Sequence, residues 1–156
     1  MKFLLILLST SVICLSAAKP DFSGKWVLDK DRSFSNPPGL EQTMNIKQTG
    51  DQIRMEAHIK TAGGEQDVND TYTVDGKEVD FTPNATPNAK GKRKASWLPN
   101  GQGIVIEDLI SVDNKTVNQL TRKWVLSSDG KRLTIDYYTD EQNRSYESKR
   151  VFTKVD

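Results

Sequence analysis

The sequence predicts an all-β protein, an up-and-down antiparallel meander of about ten strands closed into a β-barrel. Three observations carry that prediction. Turn signals recur with regular spacing, at "TGDQ" (49–52), "AGGE" (62–65), "DG" (75–76), "PNGQG" (99–103), "DNK" (113–115), "SSDGK" (127–131) and "TDEQN" (139–143). Between them lie segments rich in Val, Ile, Thr, Tyr and Trp, with apolar residues at alternate positions, the period of a half-buried strand. Beyond the first 18 residues, no window carries apolar residues at the spacing of a helix.

The strands fall in order near 22–29, 41–49, 52–61, 66–74, 77–83, 91–98, 103–111, 116–126, 132–139 and 144–154. In the third, Ile53, Met55, Ala57 and Ile59 share one face, while Gln52, Arg54, Glu56, His58 and Lys60 share the other. In the ninth, Leu133, Ile135 and Tyr137 align in the same way. A turn of helix is open to "DKDRSF" (29–34), and "NPPG" would end it at once. Short hairpin links favour a meander. A meander with one apolar face resolves its edges most simply by closing. A two-sheet sandwich needs longer crossovers than these.

Ahead of the first strand, "MKFLLILLSTSVICLSAAKP" runs from a charged start through an apolar stretch to small residues, the layout of a secretory signal peptide. The apolar run falls short of the roughly 20 residues of a spanning helix. Cleavage is expected after Ala18, leaving residues 19–156 as a single barrel domain in a secreted or periplasmic location. Cys14 follows the bulky Ile13, which argues against lipid anchoring. Cleavage removes this sole cysteine, and with it disulfide and thiolate chemistry. It also removes Lys2, so that 21 basic residues face 21 acidic ones. A neutral chain has no general attraction for nucleic acid or anionic membrane.

"FSGKWVLD" places Phe22, Gly24 and Trp26 on the first strand, and "SKRVFTKVD" places Arg150 and Phe152 on the last. Together they resemble the Gly-x-Trp opening shared by lipocalins and fatty-acid-binding proteins and the Arg-x-aromatic close of the latter. The mature chain is also similar to exported bacterial lipocalin-like domains that open on "D-F-S-G-x-W-x-L". The resemblance implies a barrel plugged at one end by Trp26, with Arg150 packed near it. Gly24 and Phe152 would take part in the same closure. The chain departs from the fatty-acid-binding proteins in three respects, the first being that they are cytosolic whereas this chain is expected to be exported. The link after the first strand is too short for their helical pair, and Phe152 stands where they carry a carboxylate-binding tyrosine. Unlike true lipocalins, the chain has no visible C-terminal helix.

Candidate chemistry centres on two inward arginines. Arg122 shares a face with Leu120, Trp124 and Leu126, and Arg150 shares one with Tyr146, Ser148 and Phe152. Either could hold the carboxylate of an amphipathic ligand. Each also has an internal alternative. Asp108, on the Ile104, Ile106 and Ile110 face, can neutralise Arg122, and Arg150 can lie over the Trp26 ring. The remaining lining would come from Met44, Met55, Tyr72, Phe81, Trp97 and Trp124.

His58 is the only histidine and falls on a polar face, so neither a metal set nor a Ser–His–Asp arrangement is expected. No cofactor is expected either. Lys90, Lys92, Arg93 and Lys94 read as a solvated or edge-guarding cluster. Asp67, Asp70, Asp75, Glu78 and Asp80 do not follow a calcium-loop spacing. The N-x-[ST] triplets at Asn69, Asn84, Asn114 and Asn143 are read as chance products of Asn- and Thr-rich turns.

Two functions follow. One is a non-catalytic barrel that binds a small hydrophobic or amphipathic molecule. The other is a structural or protein-interaction domain of the cell envelope with a filled barrel, which three inward tryptophans favour.

Overall fold

The computed structural model describes residues 18–83 and 88–155. The leader read over residues 1–18, apart from Ala18, lies outside the described residues, as does Asn84. Ten strands follow one another: β1 (Gly24–Phe34), β2 (Glu41–Thr49), β3 (Gln52–Thr61), β4 (Gly64–Thr73), β5 (Glu78–Phe81), β6 (Lys90–Trp97), β7 (Gly103–Val112), β8 (Lys115–Leu126), β9 (Arg132–Glu141) and β10 (Arg144–Val155). They form one antiparallel sheet in the order β4-β3-β2-β1-β10-β9-β8-β7-β6-β5. The first and last strands pair, with Trp26 opposite Lys154 and Leu28 opposite Phe152.

Alternation decides which side chains enter the core. In β3 the buried residues are Ile53, Met55 and Ala57, and the intervening positions are exposed. Tight turns fix the register. At the β7–β8 link Asp113 and Asn114 both have positive φ, 50° and 61°, the backbone of a type I′ hairpin. No helix forms after β1. That strand runs on to Phe34 through a bulge between Asp29 and Phe34. Ser33 holds the bulge by donating from Oγ to the Asp29 carbonyl at 2.6 Å and accepting the Val151 N–H at 3.0 Å. The hydroxyl supplies the partners that the ladder loses there.

The end at which β1 begins and β10 finishes, called the terminal end below, is packed solid. Phe22, Trp26, Ile53, Ile104, Leu133 and Phe152 are wholly buried, and Tyr72 and Trp124 are 1% exposed. Phe22 meets Trp124 edge-on with ring centroids 5.8 Å apart, and Tyr72 meets the same indole at 5.8 Å. Trp26 donates from its indole to the Phe22 carbonyl at 3.0 Å. The segment before β1 is pinned there as well. Gln48 accepts the Phe22 N–H at 3.0 Å and donates to the Pro20 carbonyl at 3.1 Å.

Among the described residues the barrel does not close through backbone hydrogen bonds, because β4 and β5 are the two unpaired ends of the ladder. Side chains span that seam. Arg93 on β6 donates to Asp70 on β4 at 2.8 Å, and Arg122 on β8 donates to the Tyr72 hydroxyl on β4 at 3.1 Å. Gly91 is required for this packing. The Phe81 ring occupies the space where a Cβ at residue 91 would stand, and the same ring lies 4.3 Å from the Arg93 guanidinium carbon.

Candidate ligand-binding site

Three arginines point into the barrel, and their partners separate them. Arg93 makes a forked contact with Asp108, from Nε at 2.6 Å and Nη2 at 2.8 Å, and reaches Asp70 with Nη1. Arg122 donates from Nη2 to Asp108 and from Nη1 to Tyr72. Tyr72 in turn donates a hydrogen bond from its hydroxyl to Asp70 at 2.9 Å. Two guanidinium groups and two carboxylates thus form a neutral network joined by one phenol. Burial raises the Tyr72 pKa, so the phenol stays a donor. Burial also works against the Asp70 carboxylate. The hydrogen bond and charge of Arg93, with help from Tyr72 and Arg122, outweigh it and hold the Asp70 pKa below its ordinary value.

Arg150 is placed differently. Its register partner is Ile135, which pairs in turn with Trp124, so it stands on the inner wall. It donates from Nη1 to the Gln42 side-chain oxygen at 2.8 Å and from Nε to that of Asn36 at 3.2 Å. Its guanidinium carbon lies 4.6 Å from the Tyr137 ring centroid. Among the described residues it forms no ion pair. The acceptors that hold it are uncharged amides, and Asn36 is fixed in turn by the Phe34 and Lys149 carbonyls at 3.0 Å each. Fixed geometry with an uncompensated charge is what a carboxylate-binding guanidinium needs.

The expectation that Arg150 lies over Trp26 is corrected here. Lys154, directly opposite Trp26, places its ammonium 5.4 Å from that ring. Arg150 sits four residues earlier on β10 and turns toward the β1–β2 loop. Gly24, at φ 139°, makes room for the Lys154 side chain, whose Cε fills the space of a Cβ at residue 24. Phe152 is buried in the core as the alternation predicts.

The other expected lining residues divide between two regions. Tyr72 and Arg122 belong to the ionic network and Phe81 to its cover, while Trp124 belongs to the aromatic plug. Met55, at 7% exposure, shares the inner wall. Asp108 does pair with Arg122. Arg93 and Asp70 were missed as network members. Lys90, Lys92 and Lys94 flank Arg93 in sequence and disguise it as part of a surface cluster, yet it shares parity with the buried Gly91 and Ala95. Gln42 and Asn36 were missed because an amide gives no sequence signal of its partner, and Tyr137, expected on the face of Leu133 and Ile135, was not expected to meet Arg150.

Concavities occur on the outer face of the sheet. One of about 520 Å³ lies along β1–β4 and includes Val27, Thr43, His58 and Asp67. His58 contacts Asp67 at 2.8 Å there, on the solvent face. Another, of about 690 Å³, lies at β5–β7 and includes Lys90 and Lys92. Among the described residues no group of three or more His, Cys, Asp or Glu side chains could hold a metal, and no helix is long and apolar enough to cross a membrane.

No protein-family model matches the chain, and no curated protein matches it in sequence. Solved structures do match in shape. The REP1-NXSQ fatty acid transporter superimposes with a TM-score of 0.59 at 16% identity, over 87% of this chain and 97% of its own. Lipid binding protein 8 of Caenorhabditis elegans gives 0.60 at 12% identity, over 86% and 95%. The zebrafish ileal bile acid-binding protein, solved with cholic acid, gives 0.54 at 18% identity, over 86% and 98%. The chain has the fold of the fatty-acid-binding proteins. Within that barrel fold its ten strands match those proteins over nearly their full length. At these identities the likeness concerns the fold, and the site rests on the geometry above.

Proposed function

We propose that this chain is an exported, non-catalytic barrel that binds a small amphipathic carboxylic acid, with Arg150 holding the carboxylate. One observation carries the reading. Of the three interior arginines, Arg93 and Arg122 are neutralised by Asp70 and Asp108, whereas Arg150 is held only by neutral groups. A buried or half-buried cation without an acid is costly. The Gln42 and Asn36 amides orient the guanidinium without consuming its charge, and Tyr137 covers one face. An incoming carboxylate would complete the site by charge-assisted hydrogen bonds. The fatty-acid, lipid and bile-acid binding named for the neighbours in fold agrees with this class of ligand.

A filled barrel acting as an envelope structural or interaction domain is the second reading. It is favoured by the solid aromatic packing of the terminal end and by concavities that lie on the outer face. Calorimetric titration of the mature protein with decanoic acid, alongside native mass spectrometry of protein taken from its own compartment, decides between them. Binding that is lost in Arg150→Gln, with the fold intact, supports the carboxylate site. A bare polypeptide with no heat of binding for decanoic or longer acids would establish the filled barrel.

A further inference from the structure

Among the described residues the buried side-chain polar atoms without a partner are Asn118 Oδ1, Arg122 Nε and Trp124 Nε1. All three belong to β8. They occupy positions of one parity, and their register partners are Ile110, Ile106 and Ile104, so all three residues belong to the inner wall. Arg122 is 7% exposed and Trp124 1%. Two of these atoms can only donate a hydrogen bond, and the third can only accept one. Native interiors leave few such groups unpaired, because each has given up its water without a replacement. Three on one face of one strand form a line of unmet polar demand along the inner wall.

The charge around that line restricts what could meet it. Arg122 is already compensated by Asp108 through Nη2, and Tyr72 accepts from Nη1. Its leftover N–H therefore seeks a hydrogen-bond acceptor and has no need of a counter-ion. A second carboxylate would meet Asp108 and Asp70 across the same network and be repelled. A neutral oxygen, keto or hydroxyl, takes the two donor N–H groups without adding charge.

We propose that the inner face of β8 is a second polar subsite, one that receives a neutral oxygen of the ligand through Trp124 Nε1 and Arg122 Nε. This deepens the Arg150 reading and rests on it. The ligand becomes an oxygenated carboxylic acid, with its carboxylate on Arg150 and a keto or hydroxyl oxygen on β8. Register sets the separation. Arg150 pairs with Ile135, and Ile135 pairs with Trp124, so the two anchor strands lie two inter-strand spacings apart, about 10 Å. An acid oxygenated seven or so bonds from its carboxyl carbon spans that interval.

The test is a matched series: decanoic acid, 8-oxodecanoic acid and 8-hydroxydecanoic acid, titrated into the mature protein and into Trp124→Phe. The wild type is expected to bind the oxygenated acids about tenfold more tightly than decanoic acid, the worth of one hydrogen bond to a buried donor. In Trp124→Phe that preference should fall to about twofold or less. Because Trp124 packs against Phe22 and Tyr72, the variant could lose its fold, so a second readout uses the wild type alone. The Trp124 indole N–H resonance should move downfield with 8-oxodecanoic acid and not with decanoic acid. Equal affinities for the three acids together with an indifferent indole resonance would overturn the subsite, leaving the Arg150 site standing and β8 hydrated by ordinary water. Failure of every acid to bind would overturn the Arg150 reading and this subsite with it.

Discussion

The arginines of β6 and β8 and the arginine of β10 occupy the same kind of wall and meet opposite fates. Arg93 and Arg122 are locked to Asp70 and Asp108, and their network takes the place of the missing backbone ladder between β4 and β5. Arg150 stands beyond reach of those acids and leans on two amides and a tyrosine ring. The difference separates structural from available charge. A guanidinium whose acid is built into the protein contributes to the architecture, and one held only by neutral groups keeps its charge for something else.

The comparison breaks most readily at Asp108. Asp108→Ala strips the shared acid from two buried guanidinium groups and should lower stability by about 3–5 kcal/mol, read by urea denaturation. Arg150→Gln should change stability by less than about 1 kcal/mol in the same experiment, since no ion pair is lost. A loss as large as that of Asp108→Ala would show that Arg150 is structural and remove the contrast. Phe22→Ala, which empties the plug at the terminal end, should cost about 3–5 kcal/mol, with Trp fluorescence shifting to the red as water reaches Trp124.

Asp70→Asn tests the seam. It keeps the shape and removes the charge that receives Arg93, with an expected cost of about 1–3 kcal/mol. Amide exchange should accelerate in β4 and leave β9 and β10 unchanged. Uniform acceleration would mean that the seam is held elsewhere. Acid should act on the same point. The Asp70 carboxyl is held below its ordinary range, so its contribution is complete above the unfolded value of about 3.9 and is lost as pH falls through the lower folded value. Loosening of β4 is therefore expected only below about pH 4, and Asp70→Asn should abolish that dependence. A small effect is also expected of Lys154→Met, which removes the cation over Trp26. Its cost should be about 0.5–1 kcal/mol with ligand affinity unchanged.

Much of this barrel was legible in the residues. Alternation placed Arg122 with Trp124 and Asp108 with Ile106, and adjacent strands then brought acid and base together. The same alternation would have placed Arg93 inside, but three neighbouring lysines made the segment look like surface. Asp70 was hidden in the same way among acids on β4. The missing helical pair was legible too, since "NPPG" leaves no length for helices. The bulge in β1 was not, because a serine that donates to one carbonyl and accepts one N–H looks like any other serine.

By itself, then, the sequence determined the strands, their faces and the order of the meander. Those follow from a period of two and from local turn chemistry, and both act within a few residues. Only the tertiary structure decided which charges cancel. Asp70 meets Arg93 across a seam, Lys154 rather than Arg150 covers Trp26, and Arg150 finds Gln42, 108 residues away in the chain. Each of these depends on how the sheet curls and where it fails to close. Parity along a strand says that a side chain points inward, and the curl of the sheet sets what it meets there.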